Sequence, residues 1–468
     1  MQTQKQNQSI SDSLPRASYN RAGTIKNAPL PIALKLIAIT LFLPEELSFY
    51  VFGLRLTVTR AIFLLITPLL LFRAVKMLTA QRVRVVPPDA LVMMTGLWMI
   101  VGFANVDGLE DSLRHMGPLV LEFCIGYFTM RILLTEHGQA LSFVEILCHA
   151  TAVVALIGLL DPLTNRWFTH ELAKELTGYV KIEANGGGEW ADAYRWGLLR
   201  ADGPVEHPIL FGVISAFGFL LSMTSPIRAR RLTLFACAIG LFASLSSAPI
   251  QAAFVGVGLL SYDRMLSGVR TRWWILISSG VVGYAVLKVI TNSPVSYIFE
   301  HLLFNASSYW SRVWEWQTVG DAVFQSPWFG VANHWTEIAL QNDAFTSVDS
   351  VWLATALSSG IPAAVLLALS MIAATSSATN GPGVDLTAAE SKLATTLSIL
   401  LFLAAVLGLT VHFWGMTWVL LGILIGVRSH LGALARSSRR RGVTTYPVAT
   451  ASNKLGAARK LGPRSRPI

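Results

Sequence analysis

Three side chains outside the apolar stretches of this 468-residue chain have the chemistry to act on a phosphorylated substrate. Arg200 lies in RADGPVEHP, Arg312 in SRVWEWQTVGDAVFQSPWFG, and Asp349 just before an apolar run that begins at Val351. A guanidinium is always charged and presents a planar fork matched to pairs of phosphate oxygens, so Arg200 and Arg312 together could clamp a diphosphate. The same two residues could instead pair with nearby acids, Asp202 and Asp321, and only shape their own loops. Asp349 is placed to accept a proton from a hydroxyl as general base or, like Ser350, to cap the helix that follows. His207 and His334 lie in the same loops; histidine as a residue type can exchange a proton near neutral pH, and a loop histidine can also be no more than a solvated side chain.

Aromatic residues crowd around these groups: Trp167, Tyr179, Trp190, Tyr194, Trp196, Tyr309, Trp310, Trp314, Trp316, Trp328 and Trp335. Sugar rings stack their apolar C–H faces on aromatic planes, and this density suits an oligosaccharide. Aromatic rings also form the belt that anchors a protein at a membrane interface. The expected catalytic set is Asp349, Arg312 and Arg200. The expected substrate-binding set is His207, His334, Trp316, Trp314, Trp196 and Asp202, with no metal ligand and no cofactor.

Such a site needs a frame, and the composition points to one. The chain is 53% hydrophobic and 14% charged, with a mean hydropathy of +0.53, which is too apolar for a soluble surface. A helical span takes about 20 apolar residues and the sequence offers about twelve such runs, so the expected fold is an all-α polytopic membrane protein. The runs cover 30–43, 60–72, 89–104, 117–134, 140–160, 208–223, 232–245, 250–262, 273–290, 351–374, 393–414 and 416–427. After the first run, SFYVFGLRLTV alternates in the manner of a strand-like turn. His207-Pro208 opens the sixth run, with proline where a missing N–H costs nothing.

Two loops are long, 161–206 and 291–350, and both fall on the same side. The first holds a predicted helix over 167–179 and a break at Gly186-Gly187-Gly188. The second holds a helix capped by Ser308 and ended at Ser326-Pro327 and Gly330. Arginine clusters such as Arg228, Arg230 and Arg231, and Arg264, Arg270 and Arg272, mark the opposite side as cytoplasmic. That distribution accounts for the pI of about 9.7 without nucleic acid. Residues 1–29 read as a disordered cytoplasmic tail, 30–427 as the membrane domain and 428–468 as a basic cytoplasmic tail. Cys124, Cys148 and Cys237 fall in apolar runs and read as packing residues. Lys35, Glu122, Glu145, His149, Lys288 and His412 also fall within runs, where an ionisable group raises the suspicion of an ion pathway and supports a transporter reading.

No Walker A sequence, dinucleotide-binding glycine pattern or Asp-x-Asp pair occurs, and no interrupted span recurs in both halves as an inverted-repeat carrier would show. Three segments form a recognisable series. RADGPVEHPILFG joins an arginine and a glycine to a His-Pro helix entry. SRVWEWQTVGDAVFQSPWFG joins an arginine, a helix and a Pro-x-x-Gly element. Asp349-Ser350 is followed by nine residues and Gly360. In this order of parts the chain resembles the O-antigen ligase and polymerase superfamily, bacterial polytopic glycosyltransferases that move glycans from undecaprenyl diphosphate outside the inner membrane. Ligases of that family carry histidine where Asp349 stands, so the chain looks more like the exopolysaccharide polymerase branch. It also has Ser246-Ser247-Ala248-Pro249 where many relatives carry Ser-Arg-Gly.

The resemblance implies a C-type glycosyltransferase architecture whose two periplasmic loops roof a lateral cavity. The lipid diphosphate would lie under Arg200 and Arg312, while Asp349 deprotonates the acceptor hydroxyl for an inverting transfer that needs neither a general acid nor a metal. Glu45 and Glu46, just after the first run, are reserve carboxylates. The implied partners are an undecaprenyl-diphosphate-linked oligosaccharide, the lipid bilayer, a chain-length regulator and export machinery. The implied location is the bacterial inner membrane, with both termini cytoplasmic. Polymerisation of repeat units ranks first, ligation of the glycan to lipid A core or protein second, and transport of a lipid or oligosaccharide third.

Overall fold

The computed structural model describes residues 29–51, 54–80, 85–179, 193–291, 306–334, 348–377 and 386–443 of the protein. It is mostly helical. The chain runs α1 (Ile32–Thr40), a hairpin of β1 (Ser48–Val51) and β2 (Leu54–Thr57), α2 (Val58–Thr79), α3 (Pro87–Asp107), α4 (Leu109–Leu133), α5 (Gln139–Gly158), α6 (Leu160–Thr164) and α7 (Phe168–Thr177). A two-residue hairpin follows, β3 (Tyr194–Arg195) with β4 (Leu198–Leu199), and then α8 (Pro208–Thr224), α9 (Arg230–Ala243), α10 (Ser247–Met265) and α11 (Arg272–Ile290). The last part holds α12 (Ala306–Gln325), a 3-10 turn at Ala332–His334, α13 (Val351–Ser359), α14 (Ile361–Thr375), α15 (Ala388–Leu407) and α16 (Met416–Val443).

Among the described residues, seven helices are long and apolar enough to cross a membrane: α2, α3, α4, the stretch Gln139–Thr164, α11, α15 and the Met416–Ala435 part of α16. α8 and α14 are shorter apolar helices. The core centres on α16, which is buried over most of its apolar length and lies along α4. Glycine permits that closeness: a methyl at Gly422 would stand 2.4 Å from the Phe123 carbonyl oxygen and one at Gly426 2.6 Å from that of Tyr127. Small residues let two backbones approach where lipid supplies no hydrophobic drive of its own. α11 is the opposite case and buries no side chain within the chain.

Several sequence expectations hold at the level of local elements. The alternating segment after the first run is the β1–β2 hairpin, with Ser48 opposite Thr57, and Thr57 then caps α2 by accepting from the Arg60 N–H. The helix expected over 167–179 is α7. His207 caps α8, with Pro208 in its first turn. The structure corrects four others. Ser308 lies inside α12, which already includes Ala306, and is not its cap. The run 351–374 is broken at Gly360 into α13 and α14. The run 393–414 stops being helical after Leu407, so His412 sits in a connecting loop and not in a span. The run 416–427 continues as helix to Val443. Arg428, Ser429 and His430 are buried, and Arg428 donates to Ser398 Oγ at 2.8 Å and to the Ser377 carbonyl at 2.9 Å, so these residues belong to the bundle and not to a tail. Residues 1–28 and 444–468, the Gly186–Gly188 break, Trp190 and Trp335 lie outside the described residues.

Candidate functional site

The site is assembled on α12. Arg312, Glu315 and Val319 follow one another at helical spacing of three and four, and Ala322 and Val323 lie three and four residues beyond Val319, which puts them on a single stripe. The apolar members, Val319, Ala322 and Val323, pack against Val348, Leu353, Ala356 and Leu357 of the α13 segment. The polar members, Arg312 and Glu315, are thereby carried to the entry of α13. A clasp fixes the other end. The Ile361 N–H donates to the Pro327 carbonyl at 2.8 Å, and the Val331 N–H donates to that of Leu357 at 2.7 Å. Gly330 and Gly360 adopt φ of +75° and +87°, and a methyl on Gly360 would stand 1.9 Å from the Trp328 carbonyl oxygen. Pro327-x-x-Gly330 and Gly360, separate marks in the sequence, are two halves of one close contact.

At the entry of α13, Arg312 ion-pairs with Asp349 and, through the same Nη1 atom, with Glu315 at 3.2 Å. Glu315 is buried. Its carboxylate accepts the backbone N–H of Asp349 at 2.6 Å and that of Ser350 at 3.2 Å. Burial pushes the Glu315 carboxyl above the usual carboxylate range; Arg312 pulls the other way and Asp349 adds to the rise. Capping falls to Ser350, whose Oγ accepts from the Leu353 N–H at 3.3 Å and donates to the Gly408 carbonyl at 2.9 Å. Asp349 is therefore not the cap of α13, and its carboxylate is paired with Arg312 instead.

The loop 408–415 closes the site from a third direction. The Trp316 indole N–H donates to the Leu409 carbonyl at 2.8 Å. His412 lies near Asp349 and hydrogen-bonds the backbone at Val348; burial holds its imidazole below the ordinary histidine value, against the pull of Asp349. Trp414 stands edge-on between His412, at 5.4 Å between centroids, and His207, at 5.9 Å. Arg312, Asp349, Trp316 and His207 are thus linked within one constellation. Trp314 is on the same helix, 40% exposed.

The other expected residues lie elsewhere. Arg200 is 1% exposed; its guanidinium donates to the Ser244 carbonyl at 3.2 Å and to Ser246 Oγ at 2.7 Å. Arg195 reaches the neighbouring Leu245 carbonyl at 2.8 Å, so two arginines supply charge to the corner that has Ser246 and no arginine of its own. Asp202 is buried, 3.7 Å from His170 Nε2. Trp196, at φ +51° beside Gly197 at +78°, forms the tip of the β3–β4 hairpin and is 81% exposed. His334 pairs with Asp107 at the end of α3, at 3.0 Å.

Beside Trp414 is a buried carboxylate cluster. Glu206 accepts from the Met416 N–H at 3.2 Å and shares with Glu45 the space next to Gly415, where a methyl would stand 1.9 Å from Glu206 Oε1 and 2.8 Å from Glu45 Oε1. Burial and Glu45 raise the Glu206 carboxyl well above its ordinary value. Arg60 pairs with Glu122 at 2.6 Å. Glu46 meets His170 Nδ1 at 2.6 Å while Nε2 is 3.0 Å from the Val205 carbonyl. A carbonyl only accepts, so Nε2 carries a hydrogen and the short Glu46 contact needs another proton between its atoms. Among the described residues no group of three or more His, Cys, Asp or Glu is arranged to hold a metal ion.

Sequence reasoning passed over Glu315, although its spacing of three from Arg312 on a predicted helix was a usable signal. It placed His412 in a span because Leu393–Trp414 reads as one apolar run. No known protein family's sequence model matches this chain, and no curated protein matches it.

Proposed function

We propose that the protein is a membrane glycosyltransferase that polymerises undecaprenyl-diphosphate-linked oligosaccharide repeat units. The observation that carries this reading is the meeting of Arg312 and Asp349, 37 residues apart in sequence, at the entry of α13, where Ser350 takes over the capping role. Arg312 binds the donor diphosphate. Asp349 takes the proton from a hydroxyl of the acceptor sugar. That oxygen bonds to the anomeric carbon as its bond to the diphosphate oxygen breaks, inverting the centre, and the diphosphate leaves on its lipid as an anion held by Arg312. Such a leaving group needs neither a general acid nor a metal. The Trp316 ring, one helical turn from Arg312 and 38% exposed, offers a face for sugar stacking. Arg200, buried at the Ser244–Ser246 corner, shapes the neighbouring loop in this reading.

The same reading has about twelve membrane crossings, with the shorter helices α1, α8 and α9, the 19-residue α10 and the α13–α14 pair among them. Both long loops lie on the non-cytoplasmic side of a bacterial inner membrane and both termini in the cytoplasm. The positive-inside rule supports this orientation through Arg228, Arg230, Arg231, Arg264, Arg270 and Arg272. The test is a deletion strain complemented with a protein carrying Arg312→Ala and Asp349→Ala together. Accumulation of single lipid-linked repeat units without polymer is expected. Polymer of ordinary length from the double variant would refute the assignment.

A further inference from the structure

We infer that Asp349 is a built-in competitor for the anion site at Arg312, so that arrival of the donor diphosphate is what releases the carboxylate to act as base. This rests on the diphosphate reading above. Arg312 has two carboxylate partners that differ in how firmly they are held. The Glu315 side chain is 5% exposed and accepts two backbone N–H groups, from Asp349 and Ser350, which it cannot abandon without leaving them unsatisfied in a buried place. The Asp349 side chain is 35% exposed, and the helix entry does not need it, since Ser350 makes the capping bond to the Leu353 N–H. Arg312 itself is 21% exposed and can be reached from solvent. One partner is a fixture and the other is exchangeable.

A diphosphate presents several negative charges and paired oxygens to the guanidinium fork, against the single charge of Asp349, and so displaces it. The backbone around Asp349 stays in place during the exchange, because Glu315 holds the N–H groups of Asp349 and Ser350 and His412 bonds the backbone at Val348. The carboxylate, released from Arg312, then stands beside the bound donor. Activation of the acceptor hydroxyl is thereby tied to donor occupancy, and an empty site keeps its base paired.

The test is binding, measured by calorimetry on the purified full-length protein in neutral detergent, with farnesyl diphosphate as the lipid-linked probe and inorganic diphosphate as the free-anion probe. Asp349→Asn removes the competitor and the repulsion while keeping the shape. It is expected to bind farnesyl diphosphate about five-fold more tightly than wild type, the worth of a partly exposed ion pair. Asp349→Ser gives the same reading through a second variant. Arg312→Ala is expected to lose the binding. If both Asp349 variants bind no more tightly than wild type while Arg312→Ala has lost binding, the competitor role is overturned and the diphosphate site at Arg312 stands. If Arg312→Ala binds as wild type does, the diphosphate reading falls and this inference with it. Inorganic diphosphate binding as tightly as the farnesyl ester would assign the site to a free anion and overturn the coupling to a lipid-linked donor.

Discussion

Removing the Glu315 carboxylate tests whether the site is held together from below. In Glu315→Ala the N–H groups of Asp349 and Ser350, now 2.6 and 3.2 Å from a carboxylate oxygen, lose their acceptor, and Arg312 keeps only Asp349. A buried donor left unsatisfied costs about 1–3 kcal/mol, so two cost about 2–6 kcal/mol, and with about a third of the upper figure recovered as water enters a loss of about 2–4 kcal/mol is expected. Glu315→Gln keeps one carbonyl oxygen for these donors but no charge for Arg312, and about half that loss is expected. The assay is thermal unfolding of the purified variants in detergent, where the alanine variant is expected to melt several degrees below wild type and the glutamine variant in between. The pH dependence has a definite sign. Burial raises the folded-state pKa of Glu315, so its contribution is full below the unfolded carboxylate value and is lost as pH rises through the folded value. The margin of wild type over Glu315→Gln is therefore expected to shrink from pH 4 toward neutrality. A Glu315→Ala protein as stable as wild type, or a margin that widens as pH rises, would refute this reasoning.

Two other substitutions separate the clasp and the cap from the chemistry. Gly360→Ala forces a side chain into φ +87° against the Trp328 carbonyl; it is expected to cost about 3 kcal/mol or more and to lower both melting temperature and activity, whereas Gly280→Ala, with open space around its position, is expected to leave the melting temperature unchanged or slightly raised. Ser350→Ala removes the bond to the Leu353 N–H and the bond to the Gly408 carbonyl; about 1–2 kcal/mol of stability is expected to go, against about 1 kcal/mol or less for Asp349→Asn, which loses a partly exposed ion pair, as read from denaturation of the two variants side by side.

Much of the frame was legible because membrane helices announce themselves by length and apolarity, and helix entries by residue type. His207-Pro208 and the hairpin at Ser48–Thr57 are of this kind. The interruptions were not. Val351–Ala374 reads as one run of spanning length; Gly360 and Pro362 inside it permit a break, and the approach of the Trp328 carbonyl to Gly360, a contact made by a distant segment, shows what holds the break there. The run through His412 reads as a span because a loop that is buried needs no polar composition when its backbone finds partners, here Ser350, Val351 and Trp316 on Gly408 and Leu409. In the site, Arg312 and Asp349 were legible as types and their pairing was not, since the nearer acid Asp321 offered the simpler match. Arg200 had the right chemistry for phosphate, but its neighbours are a backbone carbonyl and a serine reached from another corner of the chain. Sequence spacing carries no information about such a partner.

The most direct test of the central claim is chain extension by purified protein reconstituted with lipid-linked repeat units in excess chelator. Wild type is expected to build a ladder of polymer in chelator. Asp349→Asn, correctly inserted and folded, is expected to leave single units. Arg312→Lys, which keeps the charge but not the fork, is expected to fall roughly 30- to 1000-fold in rate, about 2–4 kcal/mol of barrier. Polymer of ordinary length and rate from Asp349→Asn or from Arg312→Lys would contradict the account.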